Sequence, residues 1–454
     1  MMHRMFVLYL LTFSLPALAR QEDSLQIRAI ADEILEHGRA YENLRVLTKQ
    51  VGARLSGSAG MYKAEAWGKK TLEQDGADKV WLQECKVPHW VRGGKDEAYI
   101  AATRKINLDI LALGNSMGTG PKGIKAPVIL INSFDELELR KDEVKGKIVF
   151  YNYKFNNKLV KTFAAYADAG KYRSQGPSRA AKYGAVAVLV RSMSNAADNN
   201  PHTGGMNYND SFPKIPAAAV GLRDANILAQ LITDKRDVSV YLKTLAKMLP
   251  DTIGHNVIGE LKGSEFPDQI ITIGGHLDSW DPAEGAHDDG AGCVQSIEVL
   301  RALKAIGYKP KRTIRIVLFA NEENGLRGGT KYAEEAKAKG EQHYFALESD
   351  AGGFTPRGFG FTVSDEQLTK IRQWLPLFTP YGVFELSQGG GGADIGPLNR
   401  TLKTPLAGLQ PDSQRYFDIH HARNDVFEAV NKRELELGAI NMAALIYLVD
   451  KYGL

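Results

Sequence analysis

Apolar residues are distributed along the chain in two alternating patterns, which predict helices and buried strands. Over residues 25–35 the apolar positions recur with the helical period, and a second helical stretch covers residues 40–51. Further along, short and continuously apolar runs are bounded by turn-forming residues, a pattern typical of strands buried on both faces of a sheet. The last helix is predicted over residues 433–452, which carry a continuous apolar face. These patterns favour an α/β fold built on an open sheet.

Three consecutive apolar runs end in side chains that can bind a metal ion. Because ligands bind beyond the carboxyl ends of the strands in open α/β sheets, we expect these side chains to meet at one edge. They are His276 and Asp278 after residues 269–274, Glu322 and Glu323 after residues 313–320, and Asp350 at the end of residues 344–350. Such an edge concentrates negative charge, which a bound cation would balance.

Two turn-rich segments add further candidates. Asp288 and Asp289 precede a helical pattern, and residues 418–425 contain the adjacent histidines His420 and His421. Each candidate also has an ordinary structural interpretation, since an Asp before a helix is a common N-cap and a lone His is often a surface residue. The convergence of the whole set, rather than any single residue, favours a functional site.

The residue types in this set indicate zinc. Zinc binds imidazole nitrogens and carboxylate oxygens at about four positions, and hydrolytic sites leave one position for water. Two zinc ions about 3.5–4 Å apart require a bridging carboxylate and roughly two further ligands each. The five candidate ligands are His276, Asp288, Glu323, Asp350 and one of the two late histidines. A calcium site is disfavoured by the histidines, and we predict two Zn²⁺ ions per chain.

Length and composition bound the fold and exclude some functions. A chain of 454 residues is longer than one hydrophobic core usually supports, which favours two domains. A net charge of +4 over this length predicts no surface for nucleic acid or for an anionic membrane. The two cysteines, Cys85 and Cys293, cannot form a disulfide framework or a cysteine-based zinc site. One bridge between them is possible but disfavoured, because Cys293 falls within a helical pattern and a small buried residue fits it better.

A second module interrupts the part of the chain that carries the candidate site. Residues 114–127 are rich in Gly, Lys and Pro, and a new set of short apolar runs follows, including residues 128–131 and 185–191. Folded domains tolerate long insertions at surface loops. We predict a discontinuous catalytic domain over residues 20–118 and 250–454, with an inserted domain over residues 119–249.

The amino terminus is predicted to direct export. Residues 1–4 are basic, residues 5–15 form an apolar run too short to span a bilayer, and Ala17-Leu18-Ala19 matches a cleavage site. We predict a signal peptide over residues 1–19, cleaved near Ala19, and a secreted or periplasmic protein. An uncleaved anchor is the alternative, and the shortness of the apolar run disfavours it. No later run of about 18 apolar residues exists, so we expect the mature protein to be soluble and exported.

Several segments resemble the co-catalytic zinc exopeptidase family, which includes bacterial leucyl aminopeptidases and glutamate carboxypeptidase II. The resemblance is carried by GGHLDSWD, GAHDDGAG, FANEENGLRGG, LESDAGG and HHARND, which contain the candidate ligands. PHTG and HNVIGELKG are similar to a carboxypeptidase branch, and VKGKIVFYN and KIPAAAVG resemble a protease-associated domain. The family implies a three-layer α/β zinc-exopeptidase fold. Its central sheet is mixed and mostly parallel, and a β-rich protease-associated domain is inserted into it.

The resemblance also implies a role for each candidate residue. Asp278 would orient a metal-bound histidine, and Glu322 would be the general base that moves a proton from water to the leaving amine. His421 fits the family's spacing of four residues before an acid, here Asp425, while His420 stays an alternative. The implied zinc ligands are His276, Asp288 as the bridge, Glu323, Asp350 and His421. The family implies a homodimer.

The implied activity is hydrolysis of dipeptides or short peptides, as by a dipeptidase or carboxypeptidase. Which peptide terminus is recognised stays open, because residues 387–394 offer both kinds of group: amides at Gly390 and Gly391 for a carboxylate, and Asp394 for an amine. The same segment has an ordinary interpretation as a mobile surface loop. The alternatives are an aminopeptidase, a glutaminyl cyclase on the same scaffold, and an inactive receptor. A receptor would be expected to lack a ligand or Glu322, and this sequence lacks neither.

Overall fold

The computed structural model describes residues 21–102, 104–234 and 237–454. The signal peptide predicted over residues 1–19 lies outside the described residues. The described part of the chain forms two eight-stranded sheets with helices packed against them.

The elements have the following bounds. The strands are β1 (Lys79–Val91), β2 (Glu97–Ile100), β3 (Ile106–Leu108), β4 (Ile110–Ala112), β5 (Ile124–Ile131), β6 (Ile148–Tyr151), β7 (Ala187–Arg191), β8 (Ala217–Val220), β9 (Ser239–Lys243), β10 (Lys247–Leu261), β11 (Phe266–His276), β12 (Arg312–Phe319), β13 (Gln342–Glu348), β14 (Pro356–Thr362), β15 (Glu385–Gln388) and β16 (Leu406–Pro411). The helices are α1 (residues 21–37), α2 (Ala40–Val46), α3 (Ala59–Gln74), α4 (Phe134–Leu139), α5 (Thr162–Ser174), α6 (Gly176–Ala181), α7 (Leu222–Thr233), α8 (Ala291–Ala305), α9 (Glu322–Gly325), α10 (Arg327–Lys339), α11 (Asp365–Arg372), α12 (Leu375–Phe378), α13 (Gly396–Leu402), α14 (Tyr416–Ile419) and α15 (Lys432–Tyr452).

The first sheet has the strand order β1-β10-β12-β11-β13-β16-β14-β15. Its centre is parallel, because β11 pairs in parallel with both β12 and β13, and β13 pairs in parallel with β16. Antiparallel pairs lie toward both ends, between β1 and β10, β10 and β12, and β14 and β16. The sheet is therefore mixed around a parallel core.

Helices cover both faces of this sheet, as the side chains of β12 show by packing against helices on each face. Side chains alternate across a strand, so Ile314, Ile316 and Leu318 pack on the face covered by α1, α3, α8 and α15. Val317 and Phe319 pack on the opposite face with α10 and α13. The predicted three-layer α/β architecture with a mixed central sheet is confirmed.

The second sheet has the order β3-β2-β9-β5-β6-β7-β8-β4, with β5 to β8 parallel. It is inserted at the end of the β1–β10 ladder, where Val91 lies opposite Lys247. The predicted start of the inserted domain at residue 119 is too late, because β2 pairs with β9 and β4 pairs with β8. This sheet therefore begins at Glu97. The segment rich in Gly, Lys and Pro is an internal connection from β4 into β5, which made it a poor boundary signal.

Two sequence expectations concern the chain as a whole. Among the described residues, no helix is both long enough and apolar enough to cross a membrane. Cys85 and Cys293 are each buried and free, so the structure contains no disulfide between them.

Candidate metal centre and active site

The candidate ligands lie beyond the carboxyl ends of three neighbouring parallel strands. His276 is the last residue of β11, Glu322 and Glu323 follow β12, and Asp350 follows β13. β11 lies between the other two strands, and His276 is opposite Phe319 at the end of β12. Parallel pairing thus brings residues far apart in the sequence to one edge of the sheet.

His276 and Asp350 form a first cluster with Asp288. His276 Nε2 lies 3.2 Å from Asp288 Oδ1 and 3.5 Å from Asp350 Oδ1. The His276 and Asp288 side chains are almost completely buried, and Asp350 lies at the floor of a cavity. These three ligand atoms are close enough to surround one metal ion.

His421 and Glu323 form a second cluster on the other side of Asp288. His421 Nε2 lies 3.3 Å from Asp288 Oδ2 and 3.0 Å from Glu323 Oε2. Asp288 therefore presents Oδ1 to one cluster and Oδ2 to the other. Ligand atoms about 2.0–2.1 Å from a tetrahedral zinc ion are separated by roughly 3.3–3.5 Å. The four separations of 3.0 to 3.5 Å are close to this spacing.

His420 lies beside this second cluster. Its Nε2 is 3.4 Å from Asp288 Oδ2, and its ring stacks on His421 with centroids 3.6 Å apart. Asp288, His420 and His421 could together surround a metal ion. The contacts differ, however, because His421 Nε2 approaches both Asp288 and Glu323.

The pKa values of Asp288 and Glu323 are shifted in opposite directions. Burial disfavours ionisation of Asp288, but the imidazoles of His420, His276 and His421 outweigh burial and hold its pKa well below the usual range. Burial raises the pKa of Glu323 to about 7, and the charge on Asp288 adds to that rise. Ionised carboxylates crowded in this way repel one another unless a cation lies between them.

Buried groups fix the turn that carries Asp288. The backbone N–H groups of His287 and Asp288 donate to Asp425 at 2.7 and 3.1 Å. The fully buried Arg54 donates to the carbonyls of Leu277, Glu284 and Gly285 at 2.5, 2.5 and 2.8 Å. A buried guanidinium satisfied by backbone carbonyls is a rigid connector, so Arg54 holds the loop between His276 and Asp288. The sequence motifs gave no signal for this residue.

Asp278 contacts two parts of the site. Its backbone carbonyl lies 3.0 Å from His276 Nδ1, whereas its carboxylate Oδ1 is 3.8 Å from the same nitrogen. The carboxylate Oδ1 instead accepts the backbone N–H of Glu322 at 3.0 Å. Asp278 thus orients His276 mainly through its main chain and positions Glu322 through its side chain.

A cavity of about 470 Å³ opens onto both clusters. Glu322 lines it next to His276 and Asp350. Burial raises the pKa of Glu322 well above its usual range, His276 opposes this, and the charges of Asp350 and Glu323 reinforce it. The inserted unit forms the facing wall through Asn115, Phe163, Tyr166, Arg173, Gly205 and Asn207.

Comparison with known proteins identifies the family. The model for Peptidase family M28 matches residues 256–446. Carboxypeptidase Q of Homo sapiens is 38% identical over 413 residues, covering 90% of this chain and 85% of the human protein. Carboxypeptidase Q of Xenopus laevis is 37% identical over 421 residues, covering 92% of this chain and 88% of that protein. The chain belongs to peptidase family M28. The resemblance inferred from its motifs, and with it the predicted enzyme class, is confirmed.

Two solved structures show the same fold. The crystal structure of a Peptidase M28 precursor from Shewanella amazonensis superposes with a TM-score of 0.90 at 32% identity, covering 95% of this chain and 97% of the other. BSAP, a zinc aminopeptidase from Bacillus subtilis, superposes with a TM-score of 0.64 at 21% identity, covering 91% and 95%. The second likeness supports the fold alone.

Three residues predicted to contact substrate do not line the cavity of this M28 peptidase. Gly390 packs against the backbone of Gly360 and Gly391 lies against Leu406, beside strands β14 and β16. Asp394 is fully buried. The structure therefore does not support these three substrate contacts: the glycines pack against neighbouring strands, and the acid is not among the residues that line the cavity.

The residues that form the facing wall of the cavity belong to no recognisable sequence motif. Phe163, Tyr166 and Arg173 lie on α5, and Asn207 lies in a loop of the inserted unit. Tyr416 and Leu326 contribute from the catalytic unit. An aromatic or basic residue on a helix is ordinary in sequence, and only the packing of two units shows that these residues face the metal clusters.

Proposed function

We propose that this M28 peptidase is a di-zinc exopeptidase that hydrolyses dipeptides or short peptides. The observation that carries the proposal is the position of Asp288, whose two carboxylate oxygens face separate histidine–carboxylate pairs at 3.2 and 3.3 Å from their imidazoles. A carboxylate shared in this way is the arrangement that a pair of adjacent metal ions requires.

The donor set fits zinc. Imidazole nitrogen and carboxylate oxygen are zinc ligands, and a mixed set disfavours calcium or magnesium, which take oxygen alone. Among the described residues, Asp288 Oδ2 and Glu323 Oε1 are buried without a hydrogen-bond partner. Buried carboxylate oxygens are normally satisfied, so these atoms fit ligands of an ion. Bound zinc would polarise the scissile carbonyl and supply hydroxide near neutral pH.

The ligands divide into two sets that share Asp288. One ion would be held by His276 and Asp350, and the other by Glu323 and His421. We assign His421 rather than His420 to the second ion, because His421 Nε2 approaches both Glu323 and Asp288. His276 Nδ1 and His421 Nδ1 each lie within 3.2 Å of a backbone carbonyl oxygen, which leaves each Nε2 free to bind.

Glu322 is the proposed general base. It lines the cavity beside the ligands, and Asp278 fixes its backbone at 3.0 Å. A carboxylate with a raised pKa is suited to take a proton from water and give it to the leaving amine. Burial and the charges of Asp350 and Glu323 raise the pKa of Glu322 in that direction, although His276 opposes them.

The cavity supports recognition of a free carboxylate. Arg173 on α5 lines it beside His421, and Arg173 Nε has no hydrogen-bond partner among the described residues. A guanidinium with unused donors matches the geometry of a carboxylate. The similarity to carboxypeptidase Q favours the same assignment. We therefore favour a dipeptidase or carboxypeptidase over an aminopeptidase.

A dipeptide panel tests this function. The free dipeptide, its N-acetyl form and its C-terminal amide are offered to the enzyme before and after treatment with a chelator, and after zinc is restored. We expect the free and N-acetyl forms to be cleaved and the amide to be poor. Cleavage of the amide but not the N-acetyl form would establish an aminopeptidase instead. Full activity after complete removal of metal would contradict the zinc mechanism.

Three further predictions accompany the function. Export through a signal peptide over residues 1–19 would place the enzyme outside the cytoplasm, either secreted or periplasmic. The motifs VKGKIVFYN and KIPAAAVG support a protease-associated identity for the inserted unit. The homodimer implied by the family resemblance can be measured by sedimentation.

A further inference from the structure

The inserted unit contacts the metal centre through residues 201–205. Thr203 and His421 face each other across the two units and form two hydrogen bonds. The Thr203 N–H donates to the His421 carbonyl at 3.0 Å, and His421 Nδ1 lies 3.2 Å from the Thr203 carbonyl oxygen. Because a carbonyl oxygen only accepts, this contact is a hydrogen bond when the proton of the neutral imidazole is on Nδ1. Nε2 then has a free lone pair directed at Asp288 and Glu323.

Arg173 lies beside the same carbonyl. Its Nη1 is 3.3 Å from the Thr203 carbonyl oxygen and 3.4 Å from His421 Nδ1. A guanidinium only donates, so it could contact Nδ1 as a hydrogen-bond partner only if that nitrogen were unprotonated. The Thr203 carbonyl is the nearer partner of both groups, so it favours the tautomer with the proton on Nδ1.

The backbone of His421 needs this support. Its φ is +60°, a left-handed conformation that few non-glycine residues adopt. Such conformations persist where surrounding contacts fix them. The paired hydrogen bonds to Thr203 are contacts of that kind, and the indole of Trp280 lies edge-on to the imidazole with centroids 5.9 Å apart.

Gly204 has no side chain, and His421 packs against it for that reason. Its φ is +135°, and a Cβ built there would lie 2.7 Å from His421 Nδ1 and 2.3 Å from Arg173 Nη1. The segment is anchored on its other side, where Thr203 Oγ1 donates to the Ala112 carbonyl at 2.8 Å and the Gly114 N–H donates to the Gly204 carbonyl at 2.9 Å. A side chain at position 204 would therefore displace Arg173 and His421 rather than the segment.

We infer that Thr203 and Gly204 are positioning residues of the metal centre, which hold His421 in the tautomer and orientation that bind zinc. The inference rests on the proposed function. It predicts an asymmetry between the two ions, because His276 is oriented by Asp278 within its own unit. The site formed by Glu323 and His421 depends on the inserted unit, whereas the site formed by His276 and Asp350 does not.

Zinc retention in Gly204→Ala tests this asymmetry. Loss of a group that orients a metal ligand typically lowers metal affinity about 10–100-fold. We expect the wild-type chain to hold two zinc ions in a chelator-buffered zinc solution, and the variant to hold one under the same conditions. Zinc per chain is measured by mass spectrometry, and circular dichroism reports folding.

A second variant decides the question if Gly204→Ala does not fold. Thr203→Val keeps the side-chain volume and removes the hydroxyl that donates to Ala112, so the segment is loosened without a steric clash. We expect weaker retention of one zinc ion, by a smaller factor. Two zinc ions held with wild-type affinity in folded Gly204→Ala, or in Thr203→Val when Gly204→Ala is unfolded, would overturn the inference.

Two controls and the wild type separate the causes. Gly170→Ala changes a glycine of α5 in the same unit whose Cβ would meet nothing within 4 Å, and it should retain both ions. Arg173→Met removes the guanidinium but leaves the Thr203 carbonyl, and it should also retain both. The wild type is measured first, because a wild-type chain without zinc would contradict the proposed function rather than the role of the inserted unit.

Discussion

The catalytic edge and the wall that faces it across the cavity are built in different ways. On the edge, His276, Glu323 and Asp350 stand at the ends of neighbouring strands, and the parallel ladder places them together. On the facing wall, Phe163, Tyr166 and Arg173 lie on α5, and their distance from the ligands depends on how two units pack. One region is fixed by backbone pairing between neighbouring strands, and the other by side-chain contacts between two units.

This difference separates the groups proposed for catalysis from the groups proposed for substrate selection. The edge carries the groups that would hold metal and move protons, while the wall carries a cation and aromatic rings that suit the binding of a peptide. The two regions are joined by polar contacts, including Thr162 to Ser413 at 2.7 Å and the bidentate pair of Arg423 with Asp109 at 2.8 and 2.9 Å. Substitutions on the edge should therefore remove activity, and substitutions on the wall should change which peptides are used.

Asp288→Ala should have the largest effect. Removing the carboxylate shared by both clusters takes a ligand from each ion, so zinc content should fall toward zero and peptidase activity below detection. A ligand that binds only the folded state raises thermal stability, so added zinc should raise the Tm of the wild type but not of the variant. Zinc content and melting curves with and without zinc measure this. Two zinc ions in the variant would contradict the bridging role.

Glu322→Gln should abolish turnover while sparing the metal. The amide keeps the size of the side chain but cannot take a proton, and general base catalysis contributes about 10²–10⁴-fold to rate. We expect kcat to fall by that factor, with two zinc ions retained and little change in KM. Glu334→Gln, an exposed position on α10, is the matched control. A kcat within about threefold of the control would remove Glu322 from the mechanism.

The edge could be predicted from the sequence because its rules are local. An apolar run followed by His276, Glu323 or Asp350 is visible without knowing the fold, and the end of a parallel strand is where ligands bind. The same holds for α15, predicted over residues 433–452 and found at Lys432–Tyr452. Ligands at strand ends and helical periodicity can therefore be recognised in the sequence and are found again in the structure.

The residues of the facing wall could not be predicted, because no motif in the sequence around them distinguishes them. Residues 387–394 were expected to contact substrate, since glycines and an acid suit a peptide terminus, yet Asp394 is fully buried and Gly390 packs on Gly360. Arg173 looks like any arginine on a helix. The start of the inserted unit was misplaced for the same reason, because the pairing of β2 with β9 joins strands about 140 residues apart.

Arg173→Met should change substrate selection by a smaller factor. A hydrogen bond to a charged group contributes about 1.5–3 kcal/mol, which corresponds to roughly 10–100-fold in affinity. We expect KM for a free dipeptide to rise by that factor, with kcat nearly unchanged and no further effect on the C-terminal amide. Lys171→Met, on the same helix but outside the cavity, is the control. An equal rise in KM for the free acid and the amide would exclude carboxylate recognition.

His202→Gln should have the smallest effect, visible only in acid. His202 lies in the inserted unit and is 3% exposed, with Nε2 unpartnered among the described residues. Burial lowers its pKa to about 4, with further lowering from His421 and Arg173, while the His420 backbone and Asp198 oppose the shift. The unfolded chain takes up this proton near pH 6.5 and the folded chain near pH 4. The stability that His202 contributes is therefore complete above about pH 6.5 and is lost as pH falls toward 4, by at most about 3 kcal/mol.

Urea unfolding of chelator-treated protein at several pH values measures this loss. The free energy of unfolding should fall less steeply with decreasing pH in His202→Gln than in the wild type, and as steeply as in the wild type in the exposed control His37→Gln. Parallel curves for all three would show that protonation of His202 does not destabilise the folded chain in this range.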